Sequence, residues 1–184
     1  MGHFQRFAVG ILVLPAIGAA LSAGCANSSK FLLEQPRLSG PQRRLDLRSK
    51  QVHWTAEGAV YRVLAEIPLP GAGTGRSAYL LYLRVTADLD QQPDLPAPSE
   101  VRGFLIQTHG AHAGLTPVIK AAVTGTPPKG PGQSTWKLSV DLAFEDGSRV
   151  SGNLIATRAD WKLRHFETRS HKADVQALLR GPPR

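Results

Sequence analysis

Residues 134–145 read STWKLSVDLAFE, and this stretch decides the fold class. Apolar side chains occupy every second position from Trp136 to Phe144, and mostly polar ones lie between them. Because successive side chains of a β-strand point to opposite faces, this alternation predicts a strand with one buried and one solvated face. Asp146-Gly147 then supplies a turn that tolerates positive φ, and residues 149–158 are predicted to return as a second strand.

Residues 161–169 are predicted to add a third strand to this meander. Lys162 and Arg164 alternate with apolar residues, so both cations would project from the outer face of that strand. Phe166 shares their parity, which predicts either a bulge or an aromatic ring exposed between cations. We interpret these three residues as a candidate ligand-binding face for an anionic polymer, lipid headgroups or an acidic partner protein. A cationic surface with no dedicated ligand is the alternative.

Shorter apolar segments before the meander predict further strands at residues 51–55, 60–67, 76–87, 101–109 and 117–124. Ser170 would cap a short helix over residues 171–180, and Gly181 and Pro182 would end it. The predicted fold is mostly β, an antiparallel β-sandwich or partly open barrel with one short C-terminal helix. We expect a single globular domain over residues 50–184.

The first 24 residues have the three parts of a secretory signal: a short, weakly basic start, an uncharged apolar run, and small residues at the end. The run, residues 7–21, is shorter than the ~20 apolar residues that a spanning helix needs, and Pro15 favours a processed signal. The stretch Leu21-Ser22-Ala23-Gly24-Cys25 resembles the lipobox of bacterial lipoprotein precursors. An ordinary secretory signal followed by an incidental cysteine is the alternative.

The resemblance implies that Cys25 is lipidated and becomes the first residue of the mature protein. Removing Arg6 with the signal lowers the formal net charge from +8 to 8 − 1 = +7. The protein would then be extracytoplasmic and held on a bacterial membrane by its acyl chains. Ala26 after the cysteine implies the outer membrane if the envelope has two. Cys25 is the sole cysteine, so no intrachain disulfide is possible.

Residues 26–49 contain proline, serine and glycine without sustained periodicity, and five Lys and Arg residues oppose two acidic ones. We predict a flexible basic tether between Cys25 and the domain, with a reach of roughly 25–30 Å for a flexible coil. The tether would lie on anionic headgroups or act as a solvated linker.

His109 and His112 form the most suggestive cluster for chemistry. Two imidazoles three residues apart at a strand end could chelate a transition metal, and His165, Glu167 and His53 are candidates for a third ligand. A polar hairpin loop with two solvent-facing histidines is the alternative.

No G-x-S-x-G nucleophile elbow occurs in the sequence, and we assign no catalytic residue. Our first hypothesis is a non-enzymatic envelope lipoprotein that binds or supports another envelope component and needs no cofactor. The rival is a metal-dependent or hydrolytic extracytoplasmic enzyme that uses His109 and His112. An exported location disfavours nucleic acid as the partner.

Overall fold

The computed structural model describes residues 28–68, 77–86, 100–108, 114–128 and 132–180. The strands in these ranges are β1 (Ser29–Glu34), β2 (Arg44–Ser49), β3 (Gln51–Glu57), β4 (Val60–Pro68), β5 (Ser77–Thr86), β6 (Glu100–Gln107), β7 (Gly114–Thr124), β8 (Thr135–Phe144) and β9 (Arg149–Arg158). A 3₁₀ helix, Gly40–Arg43, joins β1 to β2. Helix α1 (Asp160–His165), a π-helical turn (Phe166–Ser170) and α2 (Lys172–Arg180) follow β9.

The sheet closes into a seven-stranded barrel. Strands β3 to β8 follow one another as antiparallel neighbours, and β9 pairs antiparallel with β8 on one side. Two residues at the far end of β9, Thr157 and Arg158, pair in parallel with β3 and complete the circle. The predicted mostly β fold with a short C-terminal helix is therefore confirmed, and the architecture is a closed mixed barrel, antiparallel among the described strands except where β3 pairs with β9.

The prediction of a flexible tether is wrong for residues 29–49. Strand β1 pairs with both β2 and β9, and Phe31, Leu33 and Leu47 are buried in the barrel core. The period-two pattern is present here, but each strand is only six residues long, and proline and serine separate the two. Their apolar faces gain burial only by pairing with β9, more than 100 residues later. Cys25 lies outside the described residues.

Strands β1 and β3 share one edge of β9. Strand β1 pairs with Arg149 to Asn153, and β3 pairs beyond them. Gly152 lies at a close approach of β1 and β9: a Cβ there would lie 2.1 Å from the carbonyl oxygen of Lys30, and its φ of +152° is one that side chains rarely adopt. Only glycine fits this crossing without a shift of backbone.

Large side chains fill the interior of the barrel. Trp54, Tyr61 and Trp136 pack together near one end, with ring centroids 5.3–6.4 Å apart. The buried alternate residues of β8, predicted from the sequence, lie in the same core. Small barrels are commonly filled in this way. The barrel core is therefore packed with side chains.

A second apolar core lies outside the barrel wall. Leu64, Tyr82 and Phe104 face outward from β4, β5 and β6, and are covered by helical residues. The covering residues that are themselves buried are Leu163, Phe166 and Val175. The predicted strand at residues 161–169 is therefore wrong: the segment is helical because the outer faces of β4 to β6 are apolar and need a cover. The predicted helix at residues 171–180 is confirmed as α2.

Candidate functional site

The three residues predicted to form a basic binding face lie on the helical segment. Phe166 is only 5% exposed, and its ring stacks on Tyr82 at a centroid distance of 5.4 Å. Arg164 is exposed on α1, whereas Lys162 is partly covered. The three do not share an outer strand face, because a helix turns them in different directions. The structural basis of that prediction is wrong, and a ligand for these residues stays a prediction.

Lys162 reaches the outer surface of β3 and β4. Its Nζ lies 3.0 Å from Nε2 of His53 and 3.6 Å from Oε1 of Glu66. An ammonium group can only donate, so Nε2 of the neutral imidazole accepts, and the ring proton resides on Nδ1, 3.5 Å from Oγ1 of Thr157. Burial lowers the pKa of His53, and the charge of Lys162 lowers it further, while Glu66 opposes the shift. Much of the charge of Lys162 is thus balanced within the fold.

A shallow pocket of about 320 Å³ lies beside Lys162. Trp161 forms one wall and is 69% exposed, with the Lys162 Nζ 5.8 Å from the centre of its ring. His171, another lining residue, packs on Phe166 at 4.6 Å and lies 3.0 Å from Asp174 through its Nδ1. The imidazole is thereby held against α2. The pocket combines an exposed aromatic ring with groups that are already paired.

Glu167, in the π-helical turn, ties the helical segment to the barrel. Its carboxylate accepts a hydrogen bond of 2.8 Å from the hydroxyl of Tyr82 and one of 2.9 Å from Nη1 of Arg62. Burial raises the pKa of Tyr82, and the neighbouring Glu167 charge raises it further. Tyr82 therefore remains a neutral donor at physiological pH. A π-turn is rare and often marks a functional position; here it aims a carboxylate at two donors on the wall.

An apolar groove lies between the outer faces of β6 and β7 and helix α2, with a volume of about 520 Å³. Leu115 is 40% exposed and Ile119 is 68% exposed, so two large apolar side chains face solvent along one strand. Ile119 has the same strand parity as the exposed Leu115 and Pro117, and the pairing of β7 with β8 shifts register between Val118 and Lys120. Pro117 and Leu178 continue the apolar lining. Sequence reasoning missed this groove, although the alternate apolar residues 115, 117 and 119 were a usable signal.

The rim of the groove is mainly acidic. Glu145 and Asp174 line it, and Arg102 is the cation among the described lining residues. Arg102 forms an ion pair with Glu100 and donates a long hydrogen bond of 3.5 Å to the carbonyl oxygen of Leu178. Arg102 is paired with Glu100 and Asp174 is paired with His171, so the lining residues of the rim keep a formal charge of 1 − 2 = −1 on a strongly basic chain.

His109 and His112 lie outside the described residues, so their predicted metal site stays a prediction. Among the residues that the structure describes, no group of three or more His, Cys, Asp or Glu side chains is placed to hold a metal ion. In the same residues, no helix has the length and apolar character needed to cross a membrane.

Comparisons with known proteins returned no similarity: no protein-family model, no curated protein and no solved structure matches this chain.

Proposed function

We propose that this protein is a lipid-anchored module of the bacterial cell envelope that binds a segment of another envelope protein. The observation that carries the proposal is the apolar groove between β6, β7 and α2. Its volume of about 520 Å³ lies within the range of ~300–1,000 Å³ found for ligand-binding clefts. The anchor rests on the lipobox-like stretch that ends at Cys25.

The side chains at the groove favour a protein partner over a polar small molecule. Ile119 and Leu115 are exposed together on one strand, and contiguous exposed apolar residues rimmed by polar ones mark interaction sites. The acidic rim of Glu145 and Asp174 favours lysine or arginine beside the apolar side chains that enter the groove. The expected partner segment is therefore amphipathic and basic.

Two designed peptides test this partner chemistry. One alternates leucine with lysine, and the other alternates leucine with glutamate at the same length. We expect the leucine–lysine peptide to shift the amide resonances of β6, β7 and α2 in the isotope-labelled protein, and the leucine–glutamate peptide to bind at least tenfold more weakly. Equal affinity for both peptides would contradict the acidic rim.

A matched pair of variants locates the binding. Ile119→Glu puts a carboxylate into the groove, and we expect it to weaken binding of the leucine–lysine peptide at least tenfold. Leu179→Glu is the control, because Leu179 is also exposed, at 47%, and does not line this groove. If Leu179→Glu weakens binding as much as Ile119→Glu does, the groove is not the site.

The anchor needs a separate test. Mass spectrometry of the mature amino terminus should find Cys25 as the first residue, carrying two or three acyl chains. An unmodified cysteine, or a start at another residue, would remove the membrane address. The groove would then need a partner from another compartment.

A further inference from the structure

The chain enters the barrel in the middle of its wall. Ser29 is fully buried, pairs with Ser49 of β2, and accepts a hydrogen bond of 2.8 Å on its Oγ from the backbone N–H of Ile155. It therefore lies at the fork where β2 and β9 separate.

The fork lies only four residues after Cys25. A fully extended chain spans at most ~3.3–3.6 Å per residue, so Ser29 lies within roughly 14 Å of the cysteine whatever path the chain takes. The position of this wall relative to a membrane depends on the proposed lipidation of Cys25. With acyl chains at that residue, the barrel wall has no long tether and lies directly against the headgroups.

The wall around the fork is basic. Lys30 and Arg48 are directly opposite each other across β1 and β2, and Lys50 follows at the end of β2. All three are exposed, and none forms an ion pair with another residue in the part of the chain that the structure describes. Like charges directly opposite each other on paired strands are destabilising. We name Lys30, Arg48 and Lys50 the N-terminal basic patch.

Trp161 borders the same region. Trp161 and Glu66 line the same pocket. In the pairing of β3 with β4, Glu66 lies opposite Gln51, which is the residue after Lys50. Tryptophan is enriched at the headgroup level of membranes, where its ring is half in apolar surroundings. The other two tryptophans of the chain, Trp54 and Trp136, are 2% and 1% exposed. Trp161 is therefore a natural reporter for contact with lipid.

We infer that the N-terminal basic patch and Trp161 form a face of the barrel that docks on anionic phospholipid. The short link from Cys25 holds this face at the bilayer, and the cations gain from the negative surface potential within a Debye length of ~8 Å. The groove between β6, β7 and α2 is on other strands and stays open to a partner. The face thus orients the groove relative to the membrane.

Tryptophan quenching in vesicles tests the docking. The acylated mature protein is reconstituted into vesicles of phosphatidylglycerol and phosphatidylethanolamine, with bromine on the acyl chains close to the headgroups. We expect quenching of Trp161 fluorescence that Trp161→Phe abolishes, that falls at least twofold in 0.5 M salt, and that is weaker in vesicles of neutral phosphatidylcholine.

Charge variants identify the face. The triple variant K30Q/R48Q/K50Q should reduce quenching at least twofold. The control R169Q/K172Q/R180Q removes the same charge from exposed residues of the π-turn and α2, and it should leave quenching unchanged. Thermal unfolding of both variants checks that the barrel is intact.

The outcomes separate this inference from the anchor on which it rests. If mass spectrometry finds acyl chains on Cys25 but quenching is absent, or falls equally in both triple variants, the docking face is wrong and the anchor stands. If Cys25 is unmodified, both the anchor and the docking face are overturned.

Discussion

Replacing Phe166 by alanine should remove much of the contact between the helical segment and the barrel. The ring is 5% exposed and stacks on Tyr82 and Phe104 at 5.4 and 6.3 Å, while His171, the residue before α2, packs on it as well. The substitution therefore exposes or empties the centre of the outer core.

The expected cost follows from burial and from the ring contacts. Burying a large apolar side chain contributes about 1.5–3 kcal/mol, and each aromatic pair adds ~0.5–1.5 kcal/mol. Phe→Ala substitutions in cores cost about 3–5 kcal/mol once the cavity left behind is included. We expect this loss in the free energy of unfolding of the Phe166→Ala variant. For a chain of this size, the midpoint of thermal unfolding should fall by roughly 6–20 °C.

Urea denaturation of the purified chain measures the effect, with an unchanged m-value as evidence that only stability has altered. Trp161→Ala is the matched control, because its aromatic side chain is 69% exposed and is also in this helical segment. The control should change the free energy of unfolding by no more than ~0.5 kcal/mol. A cost below ~0.5 kcal/mol for Phe166→Ala would refute the outer core and favour the strand that the sequence pattern indicated.

Three further substitutions test separate contacts. Gly152→Ala should lower the free energy of unfolding by about 1–3 kcal/mol, because φ is positive there and the new Cβ would meet the backbone of β1. A thermal midpoint equal to that of the parent chain would contradict the close crossing of β1 and β9. Glu167→Gln should lower the free energy of unfolding by about 1–3 kcal/mol, because it removes a charge-assisted hydrogen bond from Arg62. A double-mutant cycle with Arg62→Gln that gives no coupling energy would argue against that contact. Burial and the charge of Lys162 lower the pKa of His53 from 6.5. Because the folded state then binds fewer protons at this ring than the unfolded state does, the free energy of unfolding should decrease as pH falls below about 6.5. Lys162→Gln should raise the pKa of His53, measured by NMR titration of the ring protons, and a lower pKa in this variant would contradict the 3.0 Å contact.

Sequence reasoning succeeded where the information is local. The hairpin of β8 and β9 was predicted because apolar and polar residues alternate in both strands and a turn with Gly147 at φ +85° joins them. The strands predicted at residues 60–67, 76–87, 101–109 and 117–124 are present as β4 to β7, and each pairs with the next along the chain. In each case, neighbours in sequence are neighbours in the sheet.

Sequence reasoning failed where burial depends on distant partners. Residues 29–49 resembled a linker because their short apolar faces are buried only by pairing with β9, which is distant in sequence. Residues 161–169 fitted a strand over their first four positions, and Phe166 broke the parity. The break was the signal of a helix, since Leu163 and Phe166 are three residues apart and lie on one helical face. The strand side of the groove was readable from the alternate apolar residues 115, 117 and 119, whereas the position of α2 beside β6 and β7 depends on tertiary packing.

The sequence by itself determined the β class of the fold and the pattern that indicates a membrane address, because side-chain periodicity and targeting motifs are properties of neighbouring residues. The tertiary structure decided that the wall closes, that β1 and β2 join it, and that a helical segment covers β4 to β6. The physical reason is that alternation specifies which side of a strand is apolar, but what covers that side is decided by the packing of the whole chain.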